Sequence, residues 1–171
     1  GLPGHSQGGW VAERILSEQS PAKFAILTSA PPMSPAQQEA YRAGAGIRAA
    51  KGSEADAVTA ENLARLKWQF GLNGTGWDDY AAALAQAHGK PWLSPLEWPS
   101  ERNSPLWNDI AAFRGFDPDT LLSRIKVPVL VLIGADDVEV PPAQSAETWR
   151  KTFAATGNPR SQVEEIPGVG H

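Results

Sequence analysis

The 171-residue sequence predicts an α/β protein: a parallel sheet with crossover helices, interrupted by a helical insertion. Three observations lead there. Short apolar runs at Lys23–Ser29, Val127–Ile133 and Gln162–Pro167 have strand length and alternate with helical stretches, the pattern of a parallel sheet. The segment Gly4-His5-Ser6-Gln7-Gly8 is a tight turn placed directly before a helix. The block from about residue 34 to 115 carries helical patterns and no convincing strand.

Composition narrows the class. The chain is 42 % hydrophobic and 20 % charged, with a formal net charge of −4, and no run of basic residues exceeds two. That is not the clustered basic surface of a nucleic-acid binder. The longest apolar run, "VPVLVLI", is strand-length and falls far short of the roughly 18 residues of a membrane span. Cysteine is absent, so disulfides and thiolate metal sites are excluded.

Each element has a local cause. Gly8–Gln19 reads as a helix, with Trp10, Val11, Ile15 and Leu16 apolar and Glu13, Arg14 and Glu18 opposite. Lys23–Ser29 is a buried strand stopped by Pro31-Pro32. Ser34-Pro35-Ala36-Gln37 opens a helix to about Lys51, with serine to cap and proline at the first helical position. Ser53 opens another to about Phe70; "GLNGTG" is a turn; Asp78–His88 is alanine-rich and helical. Gly89–Trp107 holds four prolines and three tryptophans and reads as irregular. Asp117-Pro118 starts a short helix to about Ile125. Val127–Ile133 is the clearest strand, β-branched and continuously apolar. A helix spans Ala143–Ala155, with Trp149 and Phe153 spaced i, i+4, and Gln162–Pro167 is a last strand before "GVGH".

Three sets of residues carry chemistry. Gly4-His5-Ser6-Gln7-Gly8 matches G-x-S-x-G, a sharp turn that exposes a serine hydroxyl at a helix N-terminus, where free N–H groups favour developing negative charge. The Gln7 backbone N–H then becomes an oxyanion donor. A serine needs a base, and the base an orienting acid. Acid candidates Asp136, Asp137 and Glu139 follow the best strand, and His171 follows the last one. The order is Ser, acid, His, the serine at its turn and the other two each after a strand, which puts acid and histidine at the C-terminal ends of parallel strands, where ligand sites collect. His5 is read as packing or hydrogen bonding beneath the turn, and His88 as a cation at a helix C-terminus. Five of the seven tryptophans, Trp68, Trp77, Trp92, Trp98 and Trp107, fall in the inserted block; each is read as core of that block, and one or two of the set as lining a pocket above Ser6. No metal motif such as H-E-x-x-H is present.

The stretches "GHSQGGW", "SAPPMSPAQQ", "VPVLVLIGADDVEVPPAQS" and "IPGVGH" resemble the α/β-hydrolase superfamily, and more closely EstD-type esterases and prolyl-oligopeptidase-like serine hydrolases. The resemblance covers nearly the whole chain. It implies Ser6 as nucleophile, His171 as base and Asp137 as acid, because the family turn G-x-x-D-x-x-V-P aligns Gly134, Asp137, Val140 and Pro141. It implies hydrolysis of a small carboxylic ester through an acyl-enzyme, with no cofactor. A peptidase or acyl-CoA thioesterase with the same triad, and a non-catalytic hydrolase-fold binding protein, are the competing expectations. The fold is expected to be a partial α/β-hydrolase domain over 1–171 with a helical cap insertion at about 34–115. With some three strands visible and none before the turn except "GLP", the chain is expected to be a C-terminal fragment, lacking an N-terminal half and a helix after His171 and inactive on its own.

Overall fold

The computed structural model describes residues 1–18, 20–94 and 97–171. Gln19, the last residue of the first expected helix, and Pro95 and Leu96, inside the expected irregular stretch, lie outside the described residues. In chain order the elements are β1 (Leu2–His5), α1 (Gln7–Ser17), β2 (Ala25–Thr28), α2 (Pro35–Ala49), α3 (Glu54–Asn73), α4 (Trp77–Gln86), α5 (Leu106–Ala111), α6 (Pro118–Ser123), β3 (Val129–Gly134), α7 (Pro142–Thr156) and β4 (Gln162–Ile166). They form two compact units, one of Gly1–Ser34 with Asp117–His171, the other of Pro35–Phe116.

The first unit is a four-stranded sheet in the order β1-β2-β3-β4, parallel throughout. This is the partial α/β-hydrolase architecture expected, with one strand more than the sequence shows. "LPGH" forms β1 although proline and glycine are poor strand formers. The register explains the exception. Leu2 N–H bonds Phe24 O and Ser6 N–H bonds Thr28 O, so Pro3 turns its missing donor toward the outer edge, where no N–H is called for.

Side chains alternate between the two faces of the sheet. Ala25, Leu27, Val129, Val131 and Ile133 are buried against Ala12 and Leu16 of α1, Leu122 of α6, and Ala146, Trp149 and Phe153 of α7. The other face carries Pro3, His5, Phe24 and Ile26, which are exposed, and Thr28, Leu130 and Leu132, which are half-buried. Parallel sheets are ordinarily covered on both faces; among the described residues the first face is buried and the second is exposed or half-buried.

Helix α1 departs from its expected orientation. Its buried stripe is Gly9, Trp10, Ala12, Glu13 and Leu16, while Val11 is 61 % exposed. Glu13 was expected on the solvent side with Arg14 and Glu18, yet it is 0 % exposed and neither carboxylate oxygen has a hydrogen-bond partner among the described residues. Small residues set this rotation: Gly9 lies so close to Ala30 that a Cβ would come within 2.9 Å of its Cα. Close approach wins over the apolar count, and Glu13 is carried inward, its carboxyl pKa pushed well up by desolvation.

The second unit is helical. Ser53 caps α3 by accepting the Asp56 N–H at 3.1 Å, and Gly74, at φ 72°, ends it. The helix thus runs through Asn73, into what the sequence offers as a turn. A short helix, α5, begins within the proline-rich stretch expected to be irregular. Trp68, Trp98 and Trp107 are buried with Leu63, Phe70, Tyr80 and Ile110, and Trp77 and Trp92 pack against them. The Tyr80 hydroxyl donates to Pro99 O at 2.9 Å, and Lys67, nearly buried, pairs with Glu39 and lies 4.7 Å over the Trp98 ring. No helix among the described residues is long and apolar enough to cross a membrane.

Candidate active site

The turn between β1 and α1 holds Ser6 at φ 51° and ψ −125°, a region that side-chain-bearing residues rarely enter. Two contacts hold it there: Ser6 N–H to Thr28 O at 3.0 Å, and Gly9 N–H to Ser6 O at 2.7 Å. The Ser6 hydroxyl makes no capping bond to the helix it precedes. Gln7 is the first residue of that helix, a position whose N–H has no intrahelical acceptor. Of the two motif glycines, only Gly4 is tightly enclosed: a Cβ on it would meet Leu27 at 2.9 Å and Ala12 at 3.0 Å. A Cβ on Gly8 would meet nothing within 4 Å, and the second close approach, against Ala30, belongs to Gly9 instead.

Asp137 lies in the turn after β3 and is 1 % exposed. Its Oδ1 accepts the N–H groups of Glu139 at 2.8 Å and Val140 at 2.9 Å, and its Oδ2 lies 2.9 Å from His171 Nδ1. Charge-assisted bonds of this length fix both the carboxylate and the ring it faces. Asp136, the adjacent candidate, is exposed. Glu139 is half-buried, and its N–H serves Asp137. The geometry therefore joins His171 to Asp137 and not to the other two acids. Ser6 is at the C-terminal end of the same sheet, but no hydrogen bond links it to His171 among the described residues.

His171 reaches Asp137 because the loop after β4 folds back over the end of β3. Ala135 N–H bonds Ile166 O at 3.0 Å and Asp136 N–H bonds Val169 O at 2.9 Å. Gly134 is what permits this. A Cβ there would fall closer than 3.0 Å to the carbonyl oxygens of both Gly170 and Val169. Sequence reasoning gave Gly134 no role beyond alignment; a glycine ending an otherwise β-branched strand was the available signal.

His5 makes the hydrogen bond expected of it, but from an exposed position. It lies on the open face of the sheet, its Nδ1 3.0 Å from Thr28 Oγ1, and its ring centroid is 5.1 Å from that of His171 at an interplanar angle of 45°. His88 is exposed just beyond α4. Among the described residues no group of three His, Cys, Asp or Glu side chains is arranged to hold a metal ion.

A sequence model described as the alpha/beta hydrolase family matches residues 4–171. A search of curated proteins gives no match. Among solved structures, the chain is similar to a serine hydrolase from the polyaromatic hydrocarbon-degrading bacterium Cycloclasticus zankles, at 18 % identity and a TM-score of 0.46, covering 99 % of this chain and 56 % of that one. It is also similar to a thermophilic esterase from Thermogutta terrifontis, at 25 % identity and a TM-score of 0.42, covering 99 % of this chain and 57 % of that one. The chain thus spans little more than half the length of these two structures.

Proposed function

The chain belongs to the alpha/beta hydrolase family, and from that premise we propose that it hydrolyses carboxylic esters of small molecules through Ser6, His171 and Asp137, as one hydrolase domain into which the helices of Pro35–Phe116 are inserted. The observation that carries this reading is the Asp137–His171 pair. A carboxylate held by two backbone N–H groups faces Nδ1 of a histidine, leaving Nε2 as the free nitrogen. That is the orientation a general base needs. A serine on a strained turn, with its hydroxyl uncommitted to the helix cap, supplies the nucleophile.

In this mechanism His171 Nε2 takes the Ser6 proton as Oγ attacks the ester carbonyl. Asp137 holds the ring and stabilises the imidazolium. The Gln7 N–H and a second donor hold the oxyanion. The tetrahedral adduct collapses, the alcohol leaves with the proton from His171, and an acyl-Ser6 remains. Water, giving its proton to His171, then releases the acid and restores the serine. No cofactor takes part. The open face of the sheet leads us to expect that these 171 residues alone turn over no ester, so the assays below use the intact protein that carries them.

The test is a substrate panel of short p-nitrophenyl esters, aminoacyl-proline amides and acyl-CoA thioesters, with fluorophosphonate labelling followed by mass spectrometry. Ester turnover, a label on Ser6, and its loss in Ser6→Ala are expected. Asp137→Asn should lower kcat by on the order of 10⁴. Preference for the amides or thioesters would overturn the ester assignment; a folded protein that takes no label would overturn the catalytic one.

A further inference from the structure

We propose that His5, the residue before the nucleophile, is a positioning residue for His171, setting the angle of the base by ring contact. This rests on the triad reading above and assigns a role to a residue that the reading leaves unused.

His171 is anchored at one ring nitrogen. Its Nδ1 is tied to Asp137 at 2.9 Å, and its side chain stays 24 % exposed. One hydrogen bond fixes a point on the ring and leaves the ring free to swing about that point. A general base needs more, because Nε2, on the far side of the ring, must stay in line with Ser6 Oγ, and small misplacements at that end are costly.

His5 supplies the missing restraint. It closes β1, in register with Thr28 on β2, so both side chains rise from the same face of the sheet. The Thr28 hydroxyl holds its Nδ1 at 3.0 Å, which anchors the His5 ring at one nitrogen. The anchored ring lies 5.1 Å from the His171 ring, tilted by 45°. That separation and tilt suit an aromatic contact better than a parallel sandwich would. The result is a chain of four side chains, Thr28, His5, His171 and Asp137, drawn from two strands and two loops.

The placement has a mechanical logic. The distance from base to nucleophile would otherwise depend on three strands and two loops, and on every small shift among them. His5 and Ser6 are consecutive residues, so contact with His5 references the His171 ring to the same strand end that carries Ser6. Movement of the turn then carries nucleophile and base together. The position also explains why a histidine serves here: it offers a flat ring for His171 and a nitrogen for Thr28 at once.

The experiment compares wild type, His5→Ala, His5→Phe and Ser6→Ala in the intact protein. His5 is exposed within these 171 residues, and a urea unfolding curve of each variant checks that the intact protein stays folded. Steady-state hydrolysis of p-nitrophenyl acetate should show kcat reduced about tenfold in His5→Ala with KM unchanged, and part of that loss recovered in His5→Phe, which keeps the ring but not the Thr28 bond. The ring protons of His171, assigned by substitution of the other histidines, should move in His5→Ala through loss of the ring current and move back in His5→Phe. Full kcat in His5→Ala, or equal impairment in His5→Phe, in an active enzyme overturns the proposal. If Ser6→Ala is as active as wild type, the triad reading fails instead, and unmoved His171 resonances in His5→Ala would then remove the ring contact as well.

Discussion

Replacing Gly134 by alanine should uncouple the acid from the base while leaving the protein folded. The added methyl would sit closer than 3.0 Å to the carbonyl oxygens of Gly170 and Val169. Both are backbone atoms, and ordinary carbon contacts begin near 3.5 Å, so the loop has to retreat by about 1 Å or more. That shift falls on the residues that carry His171, and the Asp137–His171 bond of 2.9 Å would open to where it no longer counts as a hydrogen bond, near 3.6 Å. On the triad proposed above, a displacement of this size at His171 costs on the order of 100-fold in rate. Overpacking at the strand end should cost about 1–3 kcal/mol of stability. The assay is kcat and KM for p-nitrophenyl acetate, paired with a urea unfolding curve. Unchanged kcat in a folded Gly134→Ala protein would refute the claim that this glycine brings the pair together.

Other consequences can be checked in the same preparations. Because burial raises the Glu13 carboxyl pKa, the folded state keeps a proton that the unfolded chain releases above its ordinary value of 4.5, so stability falls as pH rises from there toward the folded pKa. Glu13→Gln removes that titration; it should match wild type near pH 4 and exceed it progressively as pH rises above that, read from urea midpoints, and a pH-independent difference would count against the burial argument. Trp10 Nε1 donates to Pro31 O and Met33 O at 3.0 Å each, so Trp10→Phe should lower stability by about 1–3 kcal/mol. Gly9→Ala should destabilise by about 1–3 kcal/mol through collision with Ala30, whereas Gly8→Ala should be close to neutral for packing, a contrast readable from melting temperatures.

The legible parts of this fold are those where one local rule dominates. "VPVLVLI" contains β3 because nothing but a strand suits a short β-branched run, and Asp117-Pro118 announces α6 through a cap, with Asp117 accepting the Thr120 N–H at 3.3 Å. β1 was illegible because Pro3 and Gly4 argue against a strand, and only the pairing with β2 overrides them. The inward turn of Glu13 was illegible because periodicity counts apolar residues, while Gly9 and Ala30 decide the rotation of α1 by contact. In the site, Asp137 and His171 could be picked out by position in a pattern. The contact between His5 and His171 could not, since it joins the two ends of the chain and follows from strand register rather than from any local signal.

The parallel pairing of β2 with β3 has a kinetic meaning as well. Ala25 finds Val129 only across the entire Pro35–Phe116 unit, so this contact carries a long loop-closure penalty. The helical unit between them is built on nearer contacts, such as Tyr80 with Pro99, and can gather quickly. Its collapse shortens the effective tether between the two strands. Sheet closure, and with it the first meeting of His171 and His5, should then quicken with the collapse of a helical unit that supplies neither residue.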